Sequence, residues 1–101
     1  MAAPMSITVI VELNLKADKL DEFELMCQGL LPQTRRRPGN LGVQVKQDQD
    51  DPARIIMIET WRTRADYEGY NAWRQDRGDF TVLAGMVTDT PTRRFLDHVP
   101  V

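Results

Sequence analysis

One cysteine, one histidine and no long apolar run are the shortages that bound this chain. A lone thiol, Cys27, forms no intramolecular disulfide and cannot build a thiolate zinc cluster. A lone imidazole, His98, excludes a two-histidine-one-carboxylate iron site within one chain. Neither GxGxxG nor GxxxxGKS/T occurs, so the recognisable nucleotide cradles are missing. Chemistry must then come from the substrate, from a few polar side chains, or from a cofactor held without the usual motifs; the expectation is that neither metal nor cofactor is used. No stretch approaches the roughly 20 apolar residues that cross a bilayer. Residues 1–11 lack the positive start and cleavage site of a secretory leader, so a cytoplasmic location without membrane contact is the expectation. The net charge of −2 supplies no basic face for nucleic acid.

What is present reads as a single domain over residues 1–101, with its core at about 6–98. Its 42% hydrophobic and 28% charged residues are those of an ordinary globular protein. So small a domain buries only about 60–65% of its unfolded surface, and a subunit contact would add to that.

Ile7, Val9, Val11, Leu13 and Leu15 alternate with more polar residues and predict a half-buried strand. Asp18 stands as N-cap of a helix over about Lys19–Arg36, with Leu20, Phe23, Cys27, Leu30 and Leu31 as its apolar stripe. Pro32 forfeits the bond to the Gln28 carbonyl and predicts a kink or an early end. Arg35, Arg36 and Arg37 read as helix-end charge, and Pro38-Gly39 stops the helix. Leu41, Val43 and Val45 give a second strand. Gln47–Ala53 is a polar turn, and Arg54–Trp61 is a third strand forming a hairpin with the second. Thr63 opens a second helix with Asp66 in a capping-box-like position. Phe80, Leu83, Ala84 and Val87 suggest a short further helical piece, and Thr92–Val99 a last strand.

The order β-α-β-β-α-β is the split βαβ or ferredoxin-like arrangement, an α+β fold whose four-stranded antiparallel sheet carries helices on one face. Val9, Val11, Leu13, Val43 and Val45 are the expected floor beneath the helices. Ile55, Ile56, Met57 and Ile58 are apolar on both sides, and such a strand needs cover on both faces. No helix remains for a second layer. A homodimer packed sheet against sheet through Ile10, Ile56 and Ile58 is therefore expected.

Several segments together resemble the antibiotic biosynthesis monooxygenase (ABM) domain family. They are ITVIVELNLK, the helix ending in Arg-x-x-Pro-Gly (Arg35 to Gly39), the Asp51-Pro52 turn, and IIMIETW running into Arg62-Thr63-Arg64-Ala65. The resemblance covers about Ile7–Leu96 and implies a dimeric α+β barrel. It also implies one of several activities: cofactor-independent oxygenation of polycyclic phenols, quinol-forming monooxygenation, haem degradation, or isomerisation of a signalling-molecule phosphate. Many members carry histidine nine residues after the tryptophan, where this chain has Tyr70. The haem-degrading subgroup uses an axial histidine in the helix after the junction, a region that here contains Phe80 and no histidine.

Tyr67, Tyr70, Asn71 and Arg74 fall at i, i+3, i+4 and i+7, on one helix face. Tyr70 and Asn71 are the candidate hydrogen-bonding pair for a phenol, with Tyr67 and Trp73 as walls. The plainer account makes the tyrosines amphipathic core residues and Trp73 simple packing. Trp61 shares a strand face with Met57 and Glu59 and reads chiefly as a plug; Val11, Met57, Phe80 and Trp61 complete the expected substrate lining. Glu59 is expected to be partly buried. Paired with an arginine such as Arg93 it is structural; unpaired, with a raised pKa, it could serve as general base. Met26, Met57 and Met86 are ordinary core filler, and His98 near the terminus is expected to be solvated. The leading expectation is a cofactor-independent monooxygenase acting on a small phenolic or quinol-type aromatic with molecular oxygen. The alternatives are a non-catalytic ligand-binding dimer and an isomerase in which Glu59 or His98 shuttles a proton.

Overall fold

The computed structural model describes residues 6–101; the first five residues, part of the stretch read above for a leader, lie outside the described residues. Strand β1 spans Ile7–Asn14, helix α1 Leu20–Arg35, β2 Asn40–Gln47 and β3 Arg54–Trp61. Helix α2 follows at Arg64–Arg77, the short α3 at Asp79–Ala84, and β4 at Thr92–Asp97, two residues short of the expected Val99. The four strands form one antiparallel sheet in the order β2-β3-β1-β4, the ferredoxin-like arrangement.

Register explains the core. Val9 lies opposite Glu59, Val11 opposite Met57 and Leu13 opposite Ile55, so these residues share one face. Val9, Leu13, Ile55 and Trp61 are buried beneath the helices, each aliphatic side chain contributing about 1.5–3 kcal/mol on removal from water. Leu15 continues the inner row past β1, bridging to Val87 after α3. On β2 the row is Val43 and Val45, while Leu41 sits in a bulge and is exposed.

Two expectations for α1 need correction. Lys19, not Asp18, is the N-cap residue, and no side chain caps this end. Pro32 lies inside a helix that runs on to Arg35, so the early end does not occur. Only the Gln28 carbonyl loses its partner, and Gln28 is exposed, so water can serve it. The second helix starts as its sequence demands: the Thr63 hydroxyl accepts from the Asp66 amide at 3.1 Å. Gly78, at φ 82°, closes α2 in the left-handed conformation. Gly39, at φ 85°, turns the chain from α1 into β2 so close to α2 that a Cβ there would collide with the Asp66 side chain. Its carbonyl accepts from the Arg62 amide at 2.7 Å, which ties the two junctions together.

Among the described residues the other sheet face carries no helix. Ile10 and Ile58 are directly paired there, flanked by Ile56 and by Leu96, which is 43% exposed.

Candidate functional site

Alternation at the end of β3 sends Glu59 and Trp61 to the helix-covered face. There the indole Nε1 donates to Glu59 Oε1 at 2.9 Å. Trp61 is completely buried, with the Tyr67 ring edge-on at 5.8 Å and the Tyr70 ring tilted at 5.0 Å. The plug expected of Trp61 is thus what its surroundings describe. The expected ion pair is not: no arginine lies within ion-pair distance of Glu59 among the described residues, and Arg93 Nε donates instead to the Tyr67 hydroxyl at 2.7 Å. Burial pushes the Glu59 carboxyl above its ordinary range. The indole bond and the charges of Arg93 and Arg74 oppose that shift without cancelling it.

Helix α2 presents Tyr67, Tyr70, Asn71 and Arg74 to the same space. Tyr67 receives Arg93 and donates to Asn71 Oδ1 at 3.4 Å. Burial holds the Tyr67 phenol above its ordinary pKa; Arg93 opposes this and the Glu59 charge adds to it. The Tyr70 hydroxyl is bound to Thr34 Oγ1 at 3.0 Å and accepts from Arg74 Nε at 3.1 Å.

Arg74 was the residue the sequence undervalued. It is 2% exposed and every one of its five N–H donors is used. Nε serves Tyr70; Nη1 serves Gln33 Oε1 and Asp79 Oδ2, each at 2.9 Å; Nη2 serves the Leu30 carbonyl at 2.8 Å and Thr34 Oγ1 at 2.9 Å. One guanidinium therefore locks α2 to α1 and to the start of α3. Helical spacing places Arg74 on the tyrosine face, but it does not show that all five donors are taken by α1 and α3.

Of the residues singled out in the sequence, Val11, Met57, Glu59, Tyr67, Tyr70, Asn71 and Phe80 all line a single cavity between helices and sheet. Trp61 lies behind its wall. Trp73 does not line the cavity: its half-buried ring packs against the core beside Tyr70, 6.4 Å between ring centres, and among Arg37, Arg74 and Arg77, with guanidinium carbons 4.6–5.0 Å from the ring centre. Cys27 and Thr34 line the cavity too. The Cys27 thiol, pushed up to about 11 mainly by burial, is a poor nucleophile.

The cavity measures about 70 Å³, room for only a few waters. It is far below the roughly 300 Å³ of a ligand pocket. A much larger open groove of about 680 Å³ adjoins it between α3 and the segment leading into β4. Asn71, Phe80, Leu83, Pro91 and Arg93 belong to both walls. Among the described residues no three His, Cys, Asp or Glu side chains group as metal ligands, and no helix is long and apolar enough to cross a membrane.

A four-stranded antiparallel sheet roofed on one face by helices, with a carboxylate, two phenols and two guanidinium groups gathered under the roof, defines a small α+β protein of ferredoxin-like fold. Within that class the family is specific: the model of the antibiotic biosynthesis monooxygenase (ABM) family matches residues 6–76, and the chain belongs to it. The fold is shared with a solved antibiotic biosynthesis monooxygenase at TM-score 0.84 and 24% identity, covering 93% of this chain and 99% of that one. A conserved protein of Methanosarcina mazei is similar at TM-score 0.83 and 20% identity, covering 91% of each chain. A Nitrosomonas europaea protein described as a candidate antibiotic biosynthesis monooxygenase is similar at TM-score 0.80 and 23% identity, covering 99% of this chain and 96% of that one. No curated protein sequence matches the chain.

Proposed function

We propose that the protein is a small monooxygenase that oxidises a phenolic or quinol-type aromatic in the cleft between helices and sheet, without metal or flavin. The observation that carries this reading is Glu59: a buried carboxylate with a raised pKa, bonded to an indole and to no cation, facing an aromatic-walled cavity. A carboxylate whose pKa is raised is a stronger base than an exposed one, which suits it to take a proton from a bound phenol.

The chemistry belongs to the substrate. Glu59 removes a proton from a hydroxyaromatic such as an anthrone, and the resulting anion passes one electron to molecular oxygen. The ring radical and superoxide join in a C–O bond. The peroxide anion takes the proton back from Glu59, and the resulting hydroperoxide loses water, leaving one oxygen atom in the quinone. The chain's part is to orient the ring, exclude water and meet the anion with the Asn71 amide and the Arg93–Tyr67 pair. Tyr70 serves as wall and brace in this scheme, because its hydroxyl is already held by Thr34 and Arg74. The homodimer belongs to the same reading, with Ile10, Ile56 and Ile58 of one sheet packed on those of the other.

The test is oxygen consumption over a panel of hydroquinones, naphthols and anthrones. Enzyme-dependent uptake is expected for at least one, falling by about 10²–10⁴-fold in Glu59→Gln. No uptake across the panel overturns the proposal. Turnover that persists without oxygen would instead assign an isomerase with Glu59 as proton shuttle. Binding of an aromatic without any turnover would instead identify a ligand-binding module.

A further inference from the structure

We propose that Arg93 makes the open groove beside the cavity a subsite for a carboxylate, so that the preferred ligand is an aromatic acid rather than a neutral phenol. This rests on the reading of the cleft as a substrate site and names the substrate class.

Arg93 stands on the inner face of β4, opposite Val11, where the groove and the cavity share a wall. Its Nε is committed to the Tyr67 hydroxyl at 2.7 Å, and its guanidinium carbon lies 5.4 Å from the centre of the Phe80 ring. Those two contacts fix the plane of the group. Its Nη atoms bond to no protein group and no carboxylate pairs with it among the described residues. The contrast with Arg74 decides the matter: both guanidinium groups reach the same space, and Arg74 has no donor left to offer.

The nearby acids do not compete for Arg93. Asp89, on the rim of the groove, is held by Asn14 Nδ2 at 3.2 Å and the Thr88 hydroxyl at 3.1 Å. Asp79 is taken by Arg74 and Arg77. Glu59 lies on the cavity side, so its charge repels a second carboxylate from the inner end of the site. An aromatic acid is thereby oriented. Its carboxylate meets the two free Nη donors, whose fork matches both carboxylate oxygens, and its ring lies along Phe80, Leu83 and Pro91 toward the cavity. Because the fork is already held in place, little side-chain freedom is lost on binding.

The test is titration calorimetry of the full chain with benzoate, 2-naphthoate and anthracene-2-carboxylate, each against its methyl ester. The acid is expected to bind at least about tenfold tighter than the ester for one or more rings. That advantage should shrink in high salt, vanish in Arg93→Gln and survive in part in Arg93→Lys. Equal binding of acid and ester to the native chain overturns the proposal, as does an absence of binding by all three acids. An advantage unchanged in a folded Arg93→Gln overturns it too. The acid–ester comparison needs no variant, so a misfolded mutant cannot obscure the result. Acid preference without oxygen uptake on any substrate would sink the monooxygenase reading and leave this subsite standing; uptake without acid preference would do the reverse.

Discussion

Replacing Arg74 with methionine keeps much of the side chain's length and apolar stem while removing all five donors that hold α1, α2 and α3 together. The partners are not stranded equally. Tyr70 and Thr34 retain each other, the Leu30 carbonyl retains the Thr34 hydroxyl, and Asp79 retains Arg77 at 3.2 Å. The Gln33 side-chain Oε1 loses the one partner it has among the described residues. Removing one member of a buried ion pair costs about 3–5 kcal/mol. The Asp79 side chain is 16% exposed and still paired, which places this case at the lower end, about 3 kcal/mol. A domain of this size is stable by about 5–15 kcal/mol, so the loss is severe without being fatal. At about 4–8 °C per kcal/mol the melting temperature should fall by on the order of 12–24 °C. Urea and thermal unfolding at one fixed protein concentration measure this, since association makes Tm depend on concentration. Arg74→Lys, which keeps the charge and loses the fork, should fall between the two. A loss below about 0.5 kcal/mol for Arg74→Met, the range of an ordinary surface change, would refute the clamp.

Gly39→Ala combines a left-handed backbone with a collision against Asp66 and should cost about 1–3 kcal/mol or more by urea unfolding; Asp66→Ala in the same chain should recover part of that loss. Because the folded pKa of Glu59 lies above the ordinary 4.5, the folded state holds that proton longer than the unfolded chain. Stability should therefore fall as pH rises from about 4.5 through the raised value, and Glu59→Gln should remove that slope and raise Tm at pH 7 in a melting series. Ile58→Asp sets a charge in the centre of the uncovered sheet face; light scattering should report a smaller particle than for the native chain, and an unchanged mass would argue against the sheet-to-sheet dimer.

The parts of the fold legible in the sequence are those with a strong local cause. Period-2 rows place Val9, Val11 and Leu13 on the inner face, and the Thr63–Asp66 spacing marks the start of α2. Asp18 misleads because N-cap preference is only statistical, and α1 begins without a side-chain cap. Pro32 misleads in the other direction, since the loss of one solvent-facing helix bond is tolerable where tertiary contacts hold both sides. In the site, helical periodicity brings Tyr67, Tyr70, Asn71 and Arg74 together, but it cannot say which hydroxyls are free. Tyr70 is tied to Thr34, a residue 36 positions away, whereas Tyr67 meets Arg93. Glu59 finds its partner two residues along its own strand in an indole, where charge reasoning looked for an arginine. The Tyr70 and Tyr67 pairings are set by how α2 packs against α1 and β4, which no local pattern encodes.

The clamp on α1 acts at one end only, and this gives the helix two different rates of opening. Leu30, Gln33 and Thr34 are fastened to Arg74, whereas in the preceding turns Phe23 is the one fully buried side chain and Leu25 is 67% exposed. Amide hydrogens near Thr34 should therefore exchange with solvent only when the whole domain unfolds. Those of residues 24–28 should exchange through local opening. Loosening of the first turns would widen the space above Val11 and Met57 while the sheet stays intact. Admission of an aromatic ring would then keep pace with helix fraying, many orders of magnitude faster than global unfolding.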